Sequence, residues 1–365
     1  MHELKLPERL LLGPGPSNVS EAVRAAMAMP MIGHLDPAFL AVLDEVQQML
    51  RAVFRTRDAL TLPLSATGSG GMECCLVNLV EPGERVLILQ CGVFGGRMRS
   101  IVERIGATPV MIEAAMGHSV PVQATLDAIE RERPAVVALV HAETSTGVAQ
   151  PVEEIARAAR ASGALLVLDC VTSLAGMEVR FDDWSIDAAY SGTQKCLSCP
   201  PGLSPIALGA RALARIAQRK SPVPSWYFDL NLIGSYLGSE RVYHHTAPIS
   251  AILGLHAGLT RVLEEGLEAR FVRHRAAHEA LVAGLEKLGF QCLVAERERL
   301  PMLNAVVPPF ADEAGLRKRL LTEHGIEVGG GLGTLAGRIW RIGLMGENAQ
   351  LSVVTRLLSA LEQIV

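Results

Sequence analysis

The sequence predicts an α/β fold, a mostly parallel central sheet with helices on both faces, followed by a smaller C-terminal α/β domain. Three observations carry this. Short apolar runs at Val86–Leu89, Val136–Val140, Leu165–Leu168 and Ile206–Leu208 have the length of strands buried on both faces. Helix-type segments separate them, the βαβ rhythm of right-handed crossovers. Near Pro248 the texture changes to a long helical stretch carrying Glu264, Glu265, Arg270, Arg273 and Arg275.

The elements follow in order. Residues 1–20 read as an N-terminal arm, 21–265 as the large domain and 266–365 as the smaller one. From Asp36 to Arg57 a helix opens with an Asp-Pro cap, and Phe39, Leu43, Val46, Leu50 and Val53 make its apolar face. Another runs from Val152 to Ala161 and closes at Ser162-Gly163. The smaller domain has strand-like runs at Asn304–Val307 and Arg338–Ile342 and a last helix over Ala349–Val365.

Composition narrows the function. The 365 residues are 49% apolar and 20% charged, which excludes a disordered chain. The formal net charge is −4 with no basic block, so no nucleic-acid partner is expected. No apolar run reaches the roughly 20 residues of a membrane span. The N-terminus shows no signal-peptide pattern, and Glu362–Val365 carries no peroxisomal or prenylation signal. The seven cysteines are scattered and odd in number, which points to reduced thiols and a cytoplasmic location. Cys196 and Cys199 form one CxxC without a second pair, and packing is the simpler reading than zinc. Adjacent His244 and His245 would point to opposite faces of a strand, so no metal site is expected there.

Ligands in open parallel sheets sit beyond the carboxyl ends of the strands. Ala66-Thr67-Gly68-Ser69-Gly70-Gly71 precedes an apolar helix and is either a flexible turn or a phosphate cup of backbone N–H groups. Asp169 ends a buried strand and is either a helix cap or the partner of a cofactor's pyridinium nitrogen. Lys195 ends Tyr190-Ser191-Gly192-Thr193-Gln194-Lys195; a lysine in such a place is available for a Schiff base once burial lowers its pKa. The Asp169-to-Lys195 spacing is that of a pyridoxal 5′-phosphate (PLP) site. Arg341, inside the apolar run Trp340–Leu344, is either half of a salt bridge or a clamp for a substrate carboxylate.

These motifs resemble those of the class V, fold-type I PLP enzymes, specifically the alanine–glyoxylate / serine–pyruvate aminotransferases. The resemblance spans nearly the whole chain through Leu12–Asn18, His141–Val148, Tyr190–Lys195, Pro200–Gly202, Tyr243–Thr246 and Arg341–Leu344. It implies a ping-pong transaminase taking an amino group from alanine, serine or a similar small amino acid to glyoxylate or pyruvate. Lys195 would bind PLP covalently and move a proton, and Asp169 would keep the pyridine nitrogen protonated. Thr67, Gly68, Ser69 and Gln194 would hold the phosphate. Thr144 would sit near the phenolic oxygen, Val171 under the ring, and Arg341 with Gly15 on the substrate. Tyr243 and Thr246 would reach the phosphate of the other subunit, making a homodimer with shared active sites. Phe94 stands where animal members stack a tryptophan, and Ser69 where some carry a histidine. Two relatives of the reading stay open, a ureidoglycine–glyoxylate aminotransferase and a desulfurase or other PLP lyase. No cysteine lies between Pro200 and Gln291, where a desulfurase would need one. A non-catalytic partner-binding protein on the same fold is disfavoured by the presence of both Asp169 and Lys195.

Overall fold

The computed structural model describes residues 5–237 and 240–364. Its larger sheet has seven strands, in spatial order Leu60–Leu64, Ser204–Leu208, Ala188–Tyr190, Leu165–Asp169, Val136–Val140, Arg85–Gln90 and Thr108–Glu113. All neighbours pair in parallel except Ser204–Leu208, which is antiparallel to both of its neighbours. Every residue of Val136–Val140 and Leu165–Asp169 is buried, as continuous apolar runs demand of strands covered on both faces. The edge strand Thr108–Glu113 is half-exposed and less uniformly apolar.

The helix expected from Asp36 spans Pro37–Phe54, with the Asp36 carboxylate accepting from the Ala38 N–H. The glycine-rich turn leads into the helix Gly68–Leu79, and the later expected helix spans Glu153–Ser162 and stops at Gly163. The charged stretch after Pro248 is two helices, Ile249–Glu265 and Leu267–Lys287, joined at Gly266.

A second sheet has the order Leu10–Leu12, Ile326–Gly330, Trp340–Gly343, Leu303–Val307 and Gln291–Cys292. Leu10–Leu12, within the segment read as an arm, is therefore a strand, paired in parallel with Ile326–Gly330. Three residues carry no readable periodicity, and their partner lies more than 300 positions away. This sheet has its own core, including Leu12, Phe290, Trp340, Ile342, Leu357 and Leu361.

One buried cation ties the helical junction to the sheet. Arg270 is 2% exposed; its guanidinium donates to the Glu265 carboxylate at 2.6 Å, the Ala175 carbonyl at 3.0 Å and the Cys196 carbonyl at 2.6 Å. Burial alone would push Glu265 up, yet hydrogen bonds and charge from Arg273 and Arg270 hold it at about 2. Arg270→Leu strips a partner from Glu265 and donors from two buried carbonyls. It should lower unfolding free energy by about 3–5 kcal/mol, read from the denaturant midpoint at neutral pH. A midpoint unchanged within error would mean the cluster is dispensable.

Candidate active site at the strand ends

A cavity of about 200 Å³ opens at the carboxyl ends of the parallel strands. Thr67, Gly68, Ser69, Phe94, Thr144, Asp169, Val171, Gln194 and Lys195 all line it, with Met72, Arg97, Val140, Ala142 and Thr172 beside them.

Asp169 is the last residue of its strand and 4% exposed. One carboxylate oxygen accepts from the Val171 N–H at 2.9 Å and the other from the Tyr190 hydroxyl at 2.8 Å. Register makes the second bond, because Asp169 and Tyr190 are paired positions of adjacent parallel strands. Burial pushes the carboxyl up to about 7 despite both bonds. Lys195, 8% exposed, is pushed down to about 8 by the same desolvation. Its ammonium donates to the Pro14 carbonyl, and Ser17 holds its backbone through a 2.8 Å bond to the Lys195 carbonyl. Gly15 lies against the lysine in a left-handed conformation (φ +102°), and a Cβ there would stand 2.7 Å from Nζ.

At the other end, Thr67 caps the helix Gly68–Leu79 without a side-chain cap bond; its carbonyl takes the Gly70 and Gly71 N–H groups, while Thr67, Gly68 and Ser69 line the cavity. Gly68 passes so close to Val171 that a Cβ would stand 2.9 Å from it. Gln194 holds a buried amide oxygen with no hydrogen-bond partner. Phe94 opens the next helix, and Glu143 fixes it by accepting the Phe94 N–H at 3.2 Å. Ser145 accepts the neighbouring Val93 N–H at 3.0 Å and donates to Glu143 at 2.6 Å. Burial raises the pKa of Glu143.

Arg341 lies on the strand Trp340–Gly343 and is 7% exposed. It donates to the carbonyls of Gly330 at 2.7 Å and Thr144 at 3.3 Å, with no carboxylate partner among the described residues. The salt-bridge alternative is thus set aside. Tyr243 and Thr246 are exposed and do not line the cavity of their own chain. His244 and His245 are not on a strand, and their Nδ1 atoms face each other at 2.8 Å, so the opposite-face argument fails. The described residues hold no cluster of three His, Cys, Asp or Glu placed for a metal. Cys196 donates to the Thr172 carbonyl and Cys199 to those of Leu197 and Gly254, and burial pushes these thiols up to about 11 and about 12. A wider groove of about 1420 Å³ lies between the helices Glu153–Ser162 and Leu267–Lys287; it is lined by glutamates and arginines but by no lysine.

A family model described as "Aminotransferase class-V" matches residues 19–349. The chain belongs to the class-V aminotransferases. It is 37% identical to the (S)-ureidoglycine–glyoxylate transaminase of Bacillus subtilis, over 99% of this chain and 92% of that one. It is 38% identical to the alanine–glyoxylate aminotransferase of Drosophila melanogaster, over 99% of this chain and 93% of that one. The crystal structure of an alanine–glyoxylate aminotransferase from Nostoc superposes with a TM-score of 0.98 at 46% identity, covering 100% of this chain and 97% of that one.

This class-V aminotransferase is a PLP enzyme of fold-type I, and its cavity suits that cofactor. It holds the hydroxyls of Thr67 and Ser69 with Arg97 beside Ser69, a buried carboxylate at Asp169 and a desolvated lysine at Lys195. Motif reading missed three contributors. Tyr190 and Glu143 stood inside quoted motifs but act only through register and a turn, and Arg97 sits one helical turn after Phe94.

A pH prediction follows from Asp169. In the cofactor-free protein its folded pKa, about 7, exceeds its ordinary 3.8. Its stabilising contribution is therefore full below 3.8 and is lost as pH rises toward 7. Asp169→Asn removes that dependence. Melting curves of the cofactor-free proteins should show wild type losing ground to the variant between pH 4 and 7, and parallel curves would contradict the assignment.

Proposed function

We propose that this transaminase moves the amino group of alanine, serine or a close relative to glyoxylate or pyruvate. The observation that carries the reading is Arg341, a buried guanidinium with carbonyl partners but no carboxylate among the described residues. A substrate α-carboxylate matches its fork. Arg341 does not line the cavity but reaches its wall through the Thr144 carbonyl, and Arg97, the arginine that does line it, is exposed; one buried clamp favours small monocarboxylates over dicarboxylates. The acceptor is supported by both kinds of relative, whose names share glyoxylate and differ in the donor.

PLP bound in the cavity supplies a protonated ring that accepts the electrons left on the substrate's Cα. The chain's own groups do the rest. Lys195, held near a pKa of about 8, has a share of neutral amine at neutral pH. That amine takes the proton from Cα and returns one on the other side of the transfer. Asp169 holds the ring nitrogen's proton, and Tyr190 and the Val171 N–H fix the carboxylate that does so. Phe94 would supply an aromatic face for the ring, and Arg341 would hold the substrate's carboxylate.

Two further parts of the reading concern setting. Tyr243 is 60% exposed beside exposed Trp226 and Val242, a surface that a second copy of this chain would cover. There Tyr243 and Thr246 would complete the partner's phosphate site in a homodimer. All seven cysteines are free, in keeping with a reducing cytoplasm, and no described helix is long and apolar enough to cross a membrane.

The test is a half-reaction screen, in which the cofactor-loaded protein meets single amino acids while its visible band is followed. Alanine or serine should bleach the band, and glyoxylate or pyruvate should restore it. Bleaching by ureidoglycine alone would transfer the donor assignment to that of the ureidoglycine–glyoxylate relative. Borohydride reduction should leave the cofactor's mass on the peptide containing Lys195, and Lys195→Ala should abolish turnover. Mass on another lysine would remove Lys195 from its role.

Arg341→Lys keeps the charge but not the fork. The apparent KM for both amino donor and oxoacid should rise about ten- to a hundred-fold, with the cofactor spectrum unchanged. Loss of cofactor with KM preserved would make Arg341 structural.

A further inference from the structure

The phosphate end of the cavity poses a charge problem. A phosphate monoester carries close to two negative charges at neutral pH. Every donor assigned to it from this chain is neutral: the Thr67 and Ser69 hydroxyls, the first N–H groups of the helix Gly68–Leu79, and the Gln194 amide. The helix terminus contributes about half an elementary charge. Lys195 and Arg341 are committed elsewhere in the reading above.

One cation lies at the right place. Arg97 lines the same cavity, and its Nη1 donates to the Ser69 hydroxyl at 3.3 Å. Its guanidinium carbon stands 4.7 Å from the centroid of the Phe94 ring, one turn earlier on the same helix. No carboxylate forms an ion pair with Arg97 among the described residues. Glu143 feels its charge but is engaged by Ser145 and the Phe94 N–H. The side chain is exposed and lines the cavity beside Ser69, where an anion can engage it at little desolvation cost.

We propose that Arg97 is the cationic anchor of the cofactor's phosphate, donating to it from beside Ser69 while its planar face braces Phe94 over the ring. This rests on the cavity being the PLP site. Two contacts of one side chain thus serve the two ends of the cofactor. The hydroxyl at position 69 takes a hydrogen bond from the guanidinium and leaves that cation beside the phosphate cup.

The experiment compares PLP with pyridoxal, which has the same ring and aldehyde but no phosphate. Cofactor-free wild type, Arg97→Gln, Arg97→Lys and Phe94→Leu are titrated with each by visible absorbance. Arg97→Gln should weaken PLP about ten-fold or more and pyridoxal less than about two-fold. Arg97→Lys should recover part of the loss, since it restores the charge without the fork. Phe94→Leu should weaken both ligands to a similar degree. Inorganic phosphate should raise the melting temperature of cofactor-free wild type and have little effect on Arg97→Gln. Wild-type PLP affinity in Arg97→Gln overturns the proposal, and so does an equal loss for PLP and pyridoxal, which would confine Arg97 to bracing the ring. Misassignment of the cavity itself would appear separately, as the cofactor's mass on a lysine other than Lys195 after borohydride reduction.

Discussion

The arrangement turns on one buried carboxylate. Asp169 sits at the end of a strand with every residue buried, where an unpaired negative charge is costly. Two donors, the Val171 N–H and the Tyr190 hydroxyl, hold it in place without neutralising it. Behind it lie the thiols of Cys75 and Cys170, whose own burial keeps them protonated and adds no compensating charge. The charge of Lys195 offsets that burial only in part, and no ion pair to Asp169 forms among the described residues. In the proposed function a pyridinium nitrogen would be the missing partner, and the electrostatic cost of leaving Asp169 alone would become binding and catalytic energy.

The lysine is prepared by a different part of the chain. Residues 13–17 run past Lys195, offering the Pro14 carbonyl to its amine and the Ser17 hydroxyl to its backbone. The same segment begins as the strand Leu10–Leu12 of the smaller sheet, and Asn348 bonds both the Leu11 carbonyl and the Asn18 side chain. Arg341 of that sheet in turn donates to the Thr144 carbonyl at the cavity wall. The smaller sheet is thereby coupled to Lys195 on one side and to the cavity wall at Thr144 on the other.

Much of this is legible in the sequence. Continuous apolar strands, the Asp36-Pro37 cap and the residues at strand ends carry local signals, and Thr67, Phe94, Asp169 and Lys195 meet in one cavity. What stayed hidden depends on long-range pairing. The antiparallel strand Ser204–Leu208 has the same apolar pattern as its parallel neighbours. Tyr190 acquires its role only because register sets it beside Asp169. Leu10–Leu12 is too short to announce itself, and the strand assumed at His244-His245 is an irregular turn in which the two rings meet. Arg97 carries no sequence signal, because Ser69 is not near it until the helices pack.

The central claim is that Asp169 keeps the cofactor's ring nitrogen protonated inside the folded site. The most direct measurement is the ¹⁵N chemical shift of that nitrogen, with labelled PLP bound to wild type and to Asp169→Asn at pH 8. The account requires the shift of a protonated pyridine in wild type and of an unprotonated one in the variant. An unprotonated nitrogen in wild type, or the same protonated shift in both, would contradict it.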